Sequence, residues 1–386
     1  MPEDNFKSIL IVHNYYQIPG GEDLVVKAEH DLLSSHGHRV ILYTRNNNEF
    51  REASALKKLS VAFSTVFSIR TYCEIRRIIR ENEIDIVHVH NTMNLISPAV
   101  YYAALREGAK VVQTVHNFRL ICPVATLFHD GMVCEECIEK GLSCAVRKGC
   151  YRNSRAQTLV LVASMLFHRM TGIYKKINYI CLTDFNKQKI LANRQIDPSR
   201  VYVKPNFVAP YTGIIPNDRE GFIFAGRLDD YKGIRVMTEA WKKMGKDAPH
   251  LTIFGTGPLE EELNDAIREF GLNIDAPGYI DNQYMRDEIA RRKAMILPTL
   301  LYEGFPVSIV EAYSTGTPVI ASDIGNAGAM VTDGVKGYRF ECGNADALIK
   351  ALNNNMDLND SVMKAYERSY TAEANYGMLM DIYDRL

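Results

Sequence analysis

The residues best suited to chemistry lie in the second half of the sequence, in the run 300–312. Glu303 follows an apolar run typical of a strand, and Gly304 lets the backbone come close to a bound molecule. Pro306 suits the start of a helix, whose free N–H groups favour an anion. Glu311 stands eight residues after Glu303, and two carboxylates can hold the diol of a sugar or a ribose. The alternative is that Glu303 only caps the helix and that Glu311 is solvated.

A group of charged residues follows an earlier strand of the same half. Gly226 and Arg227 end that strand, and Lys232 and Gly233 open the next helix. The planar fork of the arginine and the point charge of the lysine can converge on one pyrophosphate. Such cations stabilise the charge that grows on a departing nucleoside diphosphate, so no metal ion is expected to be required for catalysis. The alternative is a solvated surface pair.

Three further positions are weaker signals of a binding site. Gly20 and Gly21 follow the first strand and open a helix, where backbone N–H groups can approach an anion. Gly255 and Gly257 stand in a similar loop, and a plain tight turn explains either loop as well. His116 follows a strand and could face a ligand, or it could be a hydrogen-bonded structural histidine.

These residues must be positioned by strands that alternate with helices, a pattern typical of parallel sheets built from βαβ units. The alternation starts again in the second half, which predicts two doubly wound Rossmann-like domains with ligands at the carboxyl ends of the strands. The predicted strands are Ser8–Asn14, Val40–Tyr43, Ile84–His90, Lys110–Val115, Tyr179–Leu182, Val201–Lys204, Phe222–Ala225, Leu251–Phe254, Ala294–Pro298 and Pro318–Ala321. The predicted helices are Glu22–His36, Ser97–Glu107, Gly233–Met244, Leu259–Phe270, Asn282–Arg291 and Val307–Thr315.

Domain boundaries follow from the same pattern. Residues 1–204 form the expected first domain, and the Pro- and Gly-containing segment 205–220 is the expected linker. Residues 221–370 form the expected second domain, and a helix over 371–386 is expected to return to the first.

Composition excludes several classes of protein. The 386 residues carry a formal net charge of −1, whereas nucleic-acid binders usually have a strong basic excess. No apolar run is long enough to cross a membrane, and the longest, Leu159–Phe167, predicts a buried helix. The polar N-terminus does not resemble a secretory signal, so we expect a cytoplasmic protein with reduced thiols.

Two segments depart from the alternation and are expected to be insertions in the first domain. Segment 122–150 holds five cysteines, and Cys134 and Cys137 have the spacing of a zinc knuckle. Together with Cys122 and Cys150 they could form a structural zinc site; Cys144 and His129 are alternative ligands, and reduced thiols without metal are the other interpretation. Segment 56–82 mixes apolar and cationic residues, which suits either a peripheral contact with an anionic membrane or a solvated helix.

The motifs together resemble a known family. The segment from Glu303 to Glu311 is similar to the E-x7-E motif of family 4 of the GT-B glycosyltransferases. Gly226-Arg227-Leu228 with Lys232-Gly233 resembles that family's phosphate-binding segment. Pro205-Asn206-Phe207-Val208 resembles its interdomain Pro-Asn-Gly-Val segment, with Phe207 in place of the usual glycine.

The resemblance implies two Rossmann-like domains that face a central cleft, and sugar transfer with retention of configuration and no required metal. It implies that Arg227 and Lys232 bind the donor diphosphate, that Glu303 and the backbone of Phe305, Pro306 and Val307 hold the sugar and phosphate, and that Glu311 binds the ribose. It also implies that His116 contacts the sugar, that Gly20 and Gly21 border the acceptor, and that the backbone near Tyr279 helps to hold the base. The donor-domain loops with Asn206, Gly255, Gly257 and Gly304 complete the implied site.

The sequence therefore predicts a retaining glycosyltransferase. The expected donor is a UDP- or GDP-linked hexose or N-acetylhexosamine, and the expected acceptor is a saccharide or a lipid-linked saccharide in the synthesis of a surface polysaccharide such as a capsule or lipopolysaccharide. A nucleotide-sugar epimerase or hydrolase on the same fold is one alternative, and a non-catalytic nucleotide-sugar-binding protein is the other.

Overall fold

The computed structural model describes residues 6–17, 20–50 and 62–386. Its chain divides into two compact units. The first consists of Met1–Thr126, Glu135–Lys204 and Tyr376–Leu386, and the second of Leu127–Cys134 and Pro205–Asn375. Each unit contains one parallel sheet of six strands, as the alternating pattern predicts.

The sheet of the first unit has the strand order β2-β1-β3-β4-β7-β8, and all its neighbours are parallel. Its strands are β1 (Ser8–Tyr15), β2 (Arg39–Asn46), β3 (Ile86–Asn91), β4 (Lys110–Val115), β7 (Asn178–Cys181) and β8 (Val201–Val203). The helices of this unit are α1 (Gly21–Ser35), α2 (Ile69–Asn82), α3 (Ala99–Arg106), α4 (Glu136–Glu139), α5 (Ser143–Lys148), α6 (Arg155–Met170) and α7 (Asp184–Ile190). Between β4 and α4 lies a short antiparallel hairpin, β5 (Phe128–His129) and β6 (Met132–Val133).

Both faces of the first sheet are covered, which explains why its strands are apolar runs rather than alternating ones. One face packs against α2 and α3 through residues such as Ile75 and Ala103. On the other face, Ile9 and Ile11 of β1 pack with Leu379 and Ile382 from the last helix, α15 (Ala372–Tyr383). The C-terminal residues from Tyr376 onward are therefore part of the first unit's core.

The sheet of the second unit has the order β11-β10-β9-β12-β13-β14 and is also parallel. Its strands are β9 (Phe222–Ala225), β10 (Leu251–Phe254), β11 (Ile274–Gly278), β12 (Ala294–Leu297), β13 (Val319–Ser322) and β14 (Gly337–Phe340). Its helices are α8 (Ile234–Met244), α9 (Glu260–Phe270), α10 (Asn282–Ala290), α11 (Val307–Ser314), α12 (Gly325–Met330), α13 (Ala345–Leu352) and α14 (Asn359–Ser369).

One of the two core clusters of the second unit contains Trp241, which is fully buried and donates its Nε1–H to the carbonyl of Pro249 at 2.8 Å. The indole packs with α8, β9 and β10 side chains such as Met237, Phe222 and Leu251. Burial of an aromatic side chain of this size contributes a few kcal/mol, and the indole hydrogen bond removes the penalty of an unsatisfied donor.

Two predictions about helices need correction. The run Leu159–Phe167 lies in the longer helix α6, and it is not buried throughout, because Leu159 and Phe167 are 55% and 38% exposed. The basic segment 56–82 is not one continuous helix: residues 62–66 are helical, and α2 begins separately after Ser68, whose hydroxyl accepts a hydrogen bond from the Thr71 N–H. Residues 56–61 of that segment lie outside the described residues.

Candidate functional site

An ion pair in the second unit joins two of the predicted catalytic residues. Lys232 Nζ lies 2.7 Å from Glu303 Oε1, and the Thr299 hydroxyl donates to the same oxygen at 3.0 Å. The two charged side chains are largely buried, with exposed fractions of 24% and 15%. Lys232 ends a short 3-10 turn after β9, and Glu303 lies in the loop after β12, so adjacent strands bring them together.

Arg227 stands on the same loop as Lys232 and is far more exposed. Its Nε lies 2.6 Å from Asp229 Oδ2, which also accepts a 2.7 Å hydrogen bond from the Tyr231 hydroxyl. The Arg227 side chain is 65% exposed, so its guanidinium is free to turn towards a ligand at little cost. Asp229, which Tyr231 holds, is the ion-pair partner of this cation, and neither residue was singled out from the sequence.

Glycines in these loops are required by close backbone contacts. A Cβ on Gly233 would lie 1.9 Å from the Pro298 carbonyl oxygen, and one on Gly255 would lie 1.8 Å from the Gly226 oxygen. Both residues also have positive φ, +78° and +138°. The tight packing of these loops brings the ends of β9, β10 and β12 close enough to share one ligand.

A cavity of about 560 Å³ lies at the carboxyl ends of β9 and β10. Its lining includes a set of predicted binding residues, namely Gly226, Arg227, Gly255, Gly257, Tyr279 and Glu311. The exposed ring of Tyr279 forms one edge, and Ser308, from the first turn of α11, lies beside Glu311. This volume is in the range of pockets that hold a nucleotide-sized ligand.

Glu311 brings a largely buried carboxyl group into that cavity. Burial raises the pKa of Glu311 above its usual value, and the nearby positive charge of Arg286 opposes the shift. Arg286 is itself held by a 2.7 Å hydrogen bond to the Ala209 carbonyl. A carboxylate that is desolvated in this way gains most when ligand hydroxyls donate hydrogen bonds to it.

The loop before α11 is fixed by a residue that the sequence did not single out. Asn326 is fully buried, and its amide donates to the carbonyls of Glu303 and Gly304 at 2.6 and 2.7 Å. Pro306 is the N-cap of α11 and provides no side-chain cap among the described residues, so the first N–H groups from Val307 stay open to a ligand. Phe305 anchors the loop by packing on the core below.

Asn206 does not line the cavity. It is 4% exposed, and its Oδ1 has no hydrogen-bond partner within the described ranges. The backbone around it is held by the Asn375 amide, which donates to the Pro205 carbonyl at 2.6 Å. Asn206 therefore belongs to the segment that leads into the second unit's fold.

In the first unit, the predicted Gly20-Gly21 loop begins α1. Gly20 is its N-cap, and the Gly20 N–H donates to Asp23 Oδ2 at 2.8 Å, while the other Asp23 oxygen lies 2.6 Å from His13 Nε2. The next residue, Glu22, has a buried oxygen, Oε1, that lacks a hydrogen-bond partner within the described ranges. Burial raises the pKa of Glu22 to about 7, against the effect of its hydrogen bond with Tyr16.

His116 lies at the end of β4 and belongs to a buried polar network. Its Nε2 lies 2.9 Å from His90 Nδ1, His90 Nε2 lies 3.2 Å from Glu29 Oε2, and Lys204 Nζ lies 2.6 Å from Glu29 Oε1. Burial holds the pKa of His116 well below its usual value, with a further contribution from His90. Neutral His116 also lines a cavity of about 70 Å³, together with Asn117.

Sequence reasoning missed most of this network. His88 and His90 alternate in β3, so they lie on the same face of the sheet, which is a readable signal. His88 is bracketed by the hydroxyls of Tyr383 and Thr114, both at 2.7 Å. Burial lowers the pKa of His88 to about 3. No sequence pattern pairs Lys204 with Glu29, since 175 residues separate them.

The cysteines of segment 122–150 do not form a compact ligand set. Cys122 is buried, and Cys137 and Cys150 pack at the edge of a small apolar cluster around Leu142. Among the described residues, the group with ligand atoms all within 4.8 Å of one another is Glu29, His88 and His90. Lys204 already supplies the positive charge beside that group. The zinc site at Cys122, Cys134, Cys137 and Cys150 stays a prediction.

The two units and the site define a glycosyltransferase of the GT-B fold, and family models agree. Residues 19–210 match the model described as Glycosyltransferase Family 4, and residues 213–372 match the model described as Glycosyl transferases group 1. The chain belongs to the family 4 glycosyltransferases.

Relatives act in the assembly of polysaccharides and lipid-linked sugars. The chain is 22% identical over 353 residues to a phosphatidyl-myo-inositol mannosyltransferase of Mycolicibacterium smegmatis, covering 87% of this chain and 81% of that one. It is 24% identical to a UDP-Gal:alpha-D-GlcNAc-diphosphoundecaprenol alpha-1,3-galactosyltransferase of Escherichia coli, with 75% and 70% covered. A poly(glycerol-phosphate) alpha-glucosyltransferase of Bacillus subtilis is 29% identical over 42% of this chain, but the match spans only 24% of that longer protein.

Solved structures share the fold at low identity. A glycosyltransferase from Rickettsia africae superposes with a TM-score of 0.69 at 17% identity and covers 99% of this chain and 98% of its own. Anabaena Alr3699/HepE in complex with UDP gives a TM-score of 0.65 at 15% identity, with 98% of this chain and 100% of that chain covered.

In the part of the chain that the structure describes, no helix combines the length and apolar character needed to cross a bilayer.

Proposed function

We propose that the protein is a retaining glycosyltransferase that transfers a hexose or N-acetylhexosamine from a UDP- or GDP-sugar to a hydroxyl group of a saccharide or lipid-linked saccharide. The reaction would serve the synthesis of a surface polysaccharide. The observation that carries the proposal is the pairing of Lys232 with Glu303, together with Arg227, which is on the same loop as Lys232 and lines a cavity with Glu311. The second unit therefore contains both the cations that can bind a diphosphate and the carboxylates that can bind hydroxyl groups.

In this proposal the donor's diphosphate meets Lys232, Arg227 and the open N–H groups at the start of α11. These groups stabilise the negative charge that develops as the sugar leaves, so the chain needs no metal ion there. The ribose hydroxyls donate to Glu311, and the hydroxyls of the sugar donate to Glu303. Thr299 holds Glu303 in place through its 3.0 Å hydrogen bond. The leaving phosphate takes the proton of the acceptor hydroxyl in the retaining mechanism.

The substitution Lys232→Met tests the assignment. It removes one charge-assisted contact to the diphosphate, which is worth about 1.5–3 kcal/mol, or roughly 10- to 150-fold in nucleotide affinity. Wild-type protein at 100 times the Kd of a nucleotide gains about 2.7 kcal/mol of stability. We therefore expect the stabilisation seen in a thermal-shift screen with UDP, GDP and their sugars to fall to about half or less in the variant.

Lys243→Met is the matched control. Lys243 also forms an ion pair in the second unit, with Asp346 Oδ2 at 2.8 Å, but on the exposed surface. It should leave nucleotide binding unchanged. An equal loss of nucleotide binding in both variants, or no loss in Lys232→Met, would contradict the proposal that Lys232 binds the diphosphate. Product analysis with and without an acceptor separates transfer from epimerisation or hydrolysis, which would need no acceptor.

We also propose that the protein makes a peripheral contact with anionic membranes through the first unit. The basic helix α2 is a poor candidate, because it buries Ile75 and Ile79 and because Glu107 holds Arg76 and Arg80. Helix α6 instead exposes an apolar stripe at helical spacing, in which Leu159, Leu166 and Met170 are 55%, 45% and 83% exposed. Lys175 and Lys176, both exposed, follow the helix.

Vesicle sedimentation tests this contact. Met170→Glu should reduce binding to phosphatidylglycerol vesicles at low salt, because it places a negative charge in the apolar stripe. Val335→Glu is the matched control, since Val335 is 43% exposed in the second unit. If wild-type protein binds phosphatidylglycerol and phosphatidylcholine vesicles equally poorly, the membrane proposal fails.

A further inference from the structure

The first unit has a cavity of its own at the carboxyl ends of β3 and β4. Asn91, the last residue of β3, and His116, which follows β4, both line it. Ligands of open parallel sheets bind beyond the carboxyl ends of the strands, so a ligand of the first unit is expected here. The volume is about 70 Å³, which is room for about five water molecules. The cavity therefore admits one small group, such as a phosphate, but not a saccharide ring.

Arg119 brings a positive charge to this cavity, whose wall it helps to form. Its Nη1 donates to the Pro123 carbonyl at 2.8 Å, and its backbone N–H donates to Asn117 Oδ1 at 3.2 Å. These two hydrogen bonds hold the residue in the loop after β4. The Nε of Arg119 is buried and has no hydrogen-bond partner within the described ranges. The guanidinium therefore has a donor left for a ligand.

The charge of Arg119 is not balanced by the groups around it. Arg119 is partly buried, and its guanidinium forms no ion pair with any of the described residues. Tyr16 and Glu22 interact with it electrostatically, but burial raises the pKa of both, that of Glu22 to about 7. Below that pH both side chains are largely neutral. A partly buried cation without a compensating charge favours an anionic ligand, because the ligand restores the balance.

Part of the cavity wall is apolar. Leu161 and Met165, both buried residues of α6, line it together with Leu120 from the loop after β4. By helical spacing, Leu161 and Met165 lie opposite the exposed stripe of α6 that we propose to contact membranes. The cavity thus combines one cation with an apolar wall, which suits a ligand that has a negative charge at one end of an apolar chain.

We propose that Arg119 binds the phosphate group of a lipid-linked acceptor in this cavity, with the beginning of the lipid chain against α6. This inference rests on the proposed function for the role of the ligand as acceptor, and it narrows the acceptor to a lipid that carries a phosphate. A water-soluble phosphorylated compound is the other source of the same chemistry, and the experiment must separate the two.

Calorimetric titration of the full chain with geranyl phosphate, at about pH 6 so that Glu22 is largely protonated, tests the proposal. Arg119→Met removes a charge-assisted contact and should weaken binding roughly 10- to 150-fold. Arg194→Met is the matched control, since Arg194 is an exposed arginine of the first unit that does not line the cavity. It should leave the affinity unchanged. Equal affinities of wild type and Arg119→Met would overturn the proposal.

Arg119→Lys separates the charge from the structural contact. Because Arg119 also holds the Pro123 carbonyl, Arg119→Met could lose affinity through a rearranged loop. Lysine keeps the positive charge but lacks the fork of donors, so we expect Arg119→Lys to bind geranyl phosphate within about tenfold of wild type. Equal losses in the methionine and lysine variants would refute a role for the charge.

Methyl phosphate and geraniol separate the two parts of the ligand. Methyl phosphate keeps the phosphate without the chain, and each CH2 group that is buried adds roughly fourfold in affinity. Geranyl phosphate should therefore bind at least about tenfold more tightly than methyl phosphate. Equal affinities of these two compounds would refute the lipid as the source of the phosphate. Geraniol has no charge, and binding of geraniol as tight as that of geranyl phosphate would refute the role of Arg119.

Lys232→Met separates this inference from the proposed function. Lys232 belongs to the second unit, so this variant should bind geranyl phosphate as wild type does. If no nucleotide or nucleotide-sugar binds to wild-type protein, the proposed function fails, while the titrations with geranyl phosphate still decide whether Arg119 binds a lipid phosphate. If nucleotides bind but Arg119→Met keeps its affinity for geranyl phosphate, the inference alone fails.

Discussion

The half-buried carboxyl of Glu22 should make the stability of the protein depend on pH. Burial raises its pKa from 4.5 to about 7 in the folded protein. The folded protein therefore holds this proton more tightly than the unfolded chain does, so stability is fully present below the unfolded pKa and declines as the pH rises through the folded one. A shift of this size corresponds to about 3 kcal/mol, and Glu22→Gln should remove the decline.

The assay is urea unfolding of both proteins at about pH 5 and about pH 8.5, where Glu22 of the folded protein changes from protonated to ionised. The free energy of unfolding of Glu22→Gln relative to wild type should rise by up to about 3 kcal/mol from about pH 5 to about pH 8.5. Glu107→Gln is the control, because hydrogen bonds from Arg80 and Arg76 lower the pKa of Glu107 to about 2, so this carboxylate stays ionised at both pH values and the effect of the substitution should be nearly the same in both conditions. The reasoning is refuted if the Glu22→Gln advantage is the same at both pH values.

Two other results are expected. Gly233→Ala should destabilise the protein by several kcal/mol more than Gly245→Ala. Both glycines have positive φ, but a Cβ on Gly233 would lie 1.9 Å from a carbonyl oxygen, whereas a Cβ on Gly245 would meet nothing within 4 Å. Equal urea midpoints of the two variants would contradict this. If Cys134, Cys137 and their predicted partners bind structural zinc, metal analysis of protein purified without an affinity tag should find about one equivalent, and less than about a tenth would contradict the site.

The fold of the second domain could be predicted from its sequence because the motifs that indicate it are local. Strand, glycine turn and helix N-terminus follow one another at Gly226 and again at Glu303, so their order along the chain gives their place in the sheet. The strands β11 and β14 were missed, and both are edge strands of that sheet. Strand β11 contains Pro277, which a central strand would exclude, and β14 includes Gly337 and Arg339, so it is not a continuous apolar run.

The network in the first domain could not be predicted in the same way. Its members come from α1, β3 and β4 and from Lys204, so their contacts depend on which strands are neighbours and on which face each side chain lies. The alternation of His88 and His90 predicts a shared face but not the partner on it. His116 was found because it directly follows a predicted strand, whereas Glu29 has no local signal at all.

The last helix has a consequence for how the chain folds as it is made. Leu379, Ile382 and Tyr383 complete the apolar layer over Ile9 and Ile11, which are synthesised long before them. The first domain therefore cannot finish its core until residues 379–383 have been synthesised, although domains generally fold in order from the N-terminus. During translation the core of the second domain, which includes residues up to Tyr370, can be completed slightly earlier. The half of the protein that is synthesised first is the half that matures last.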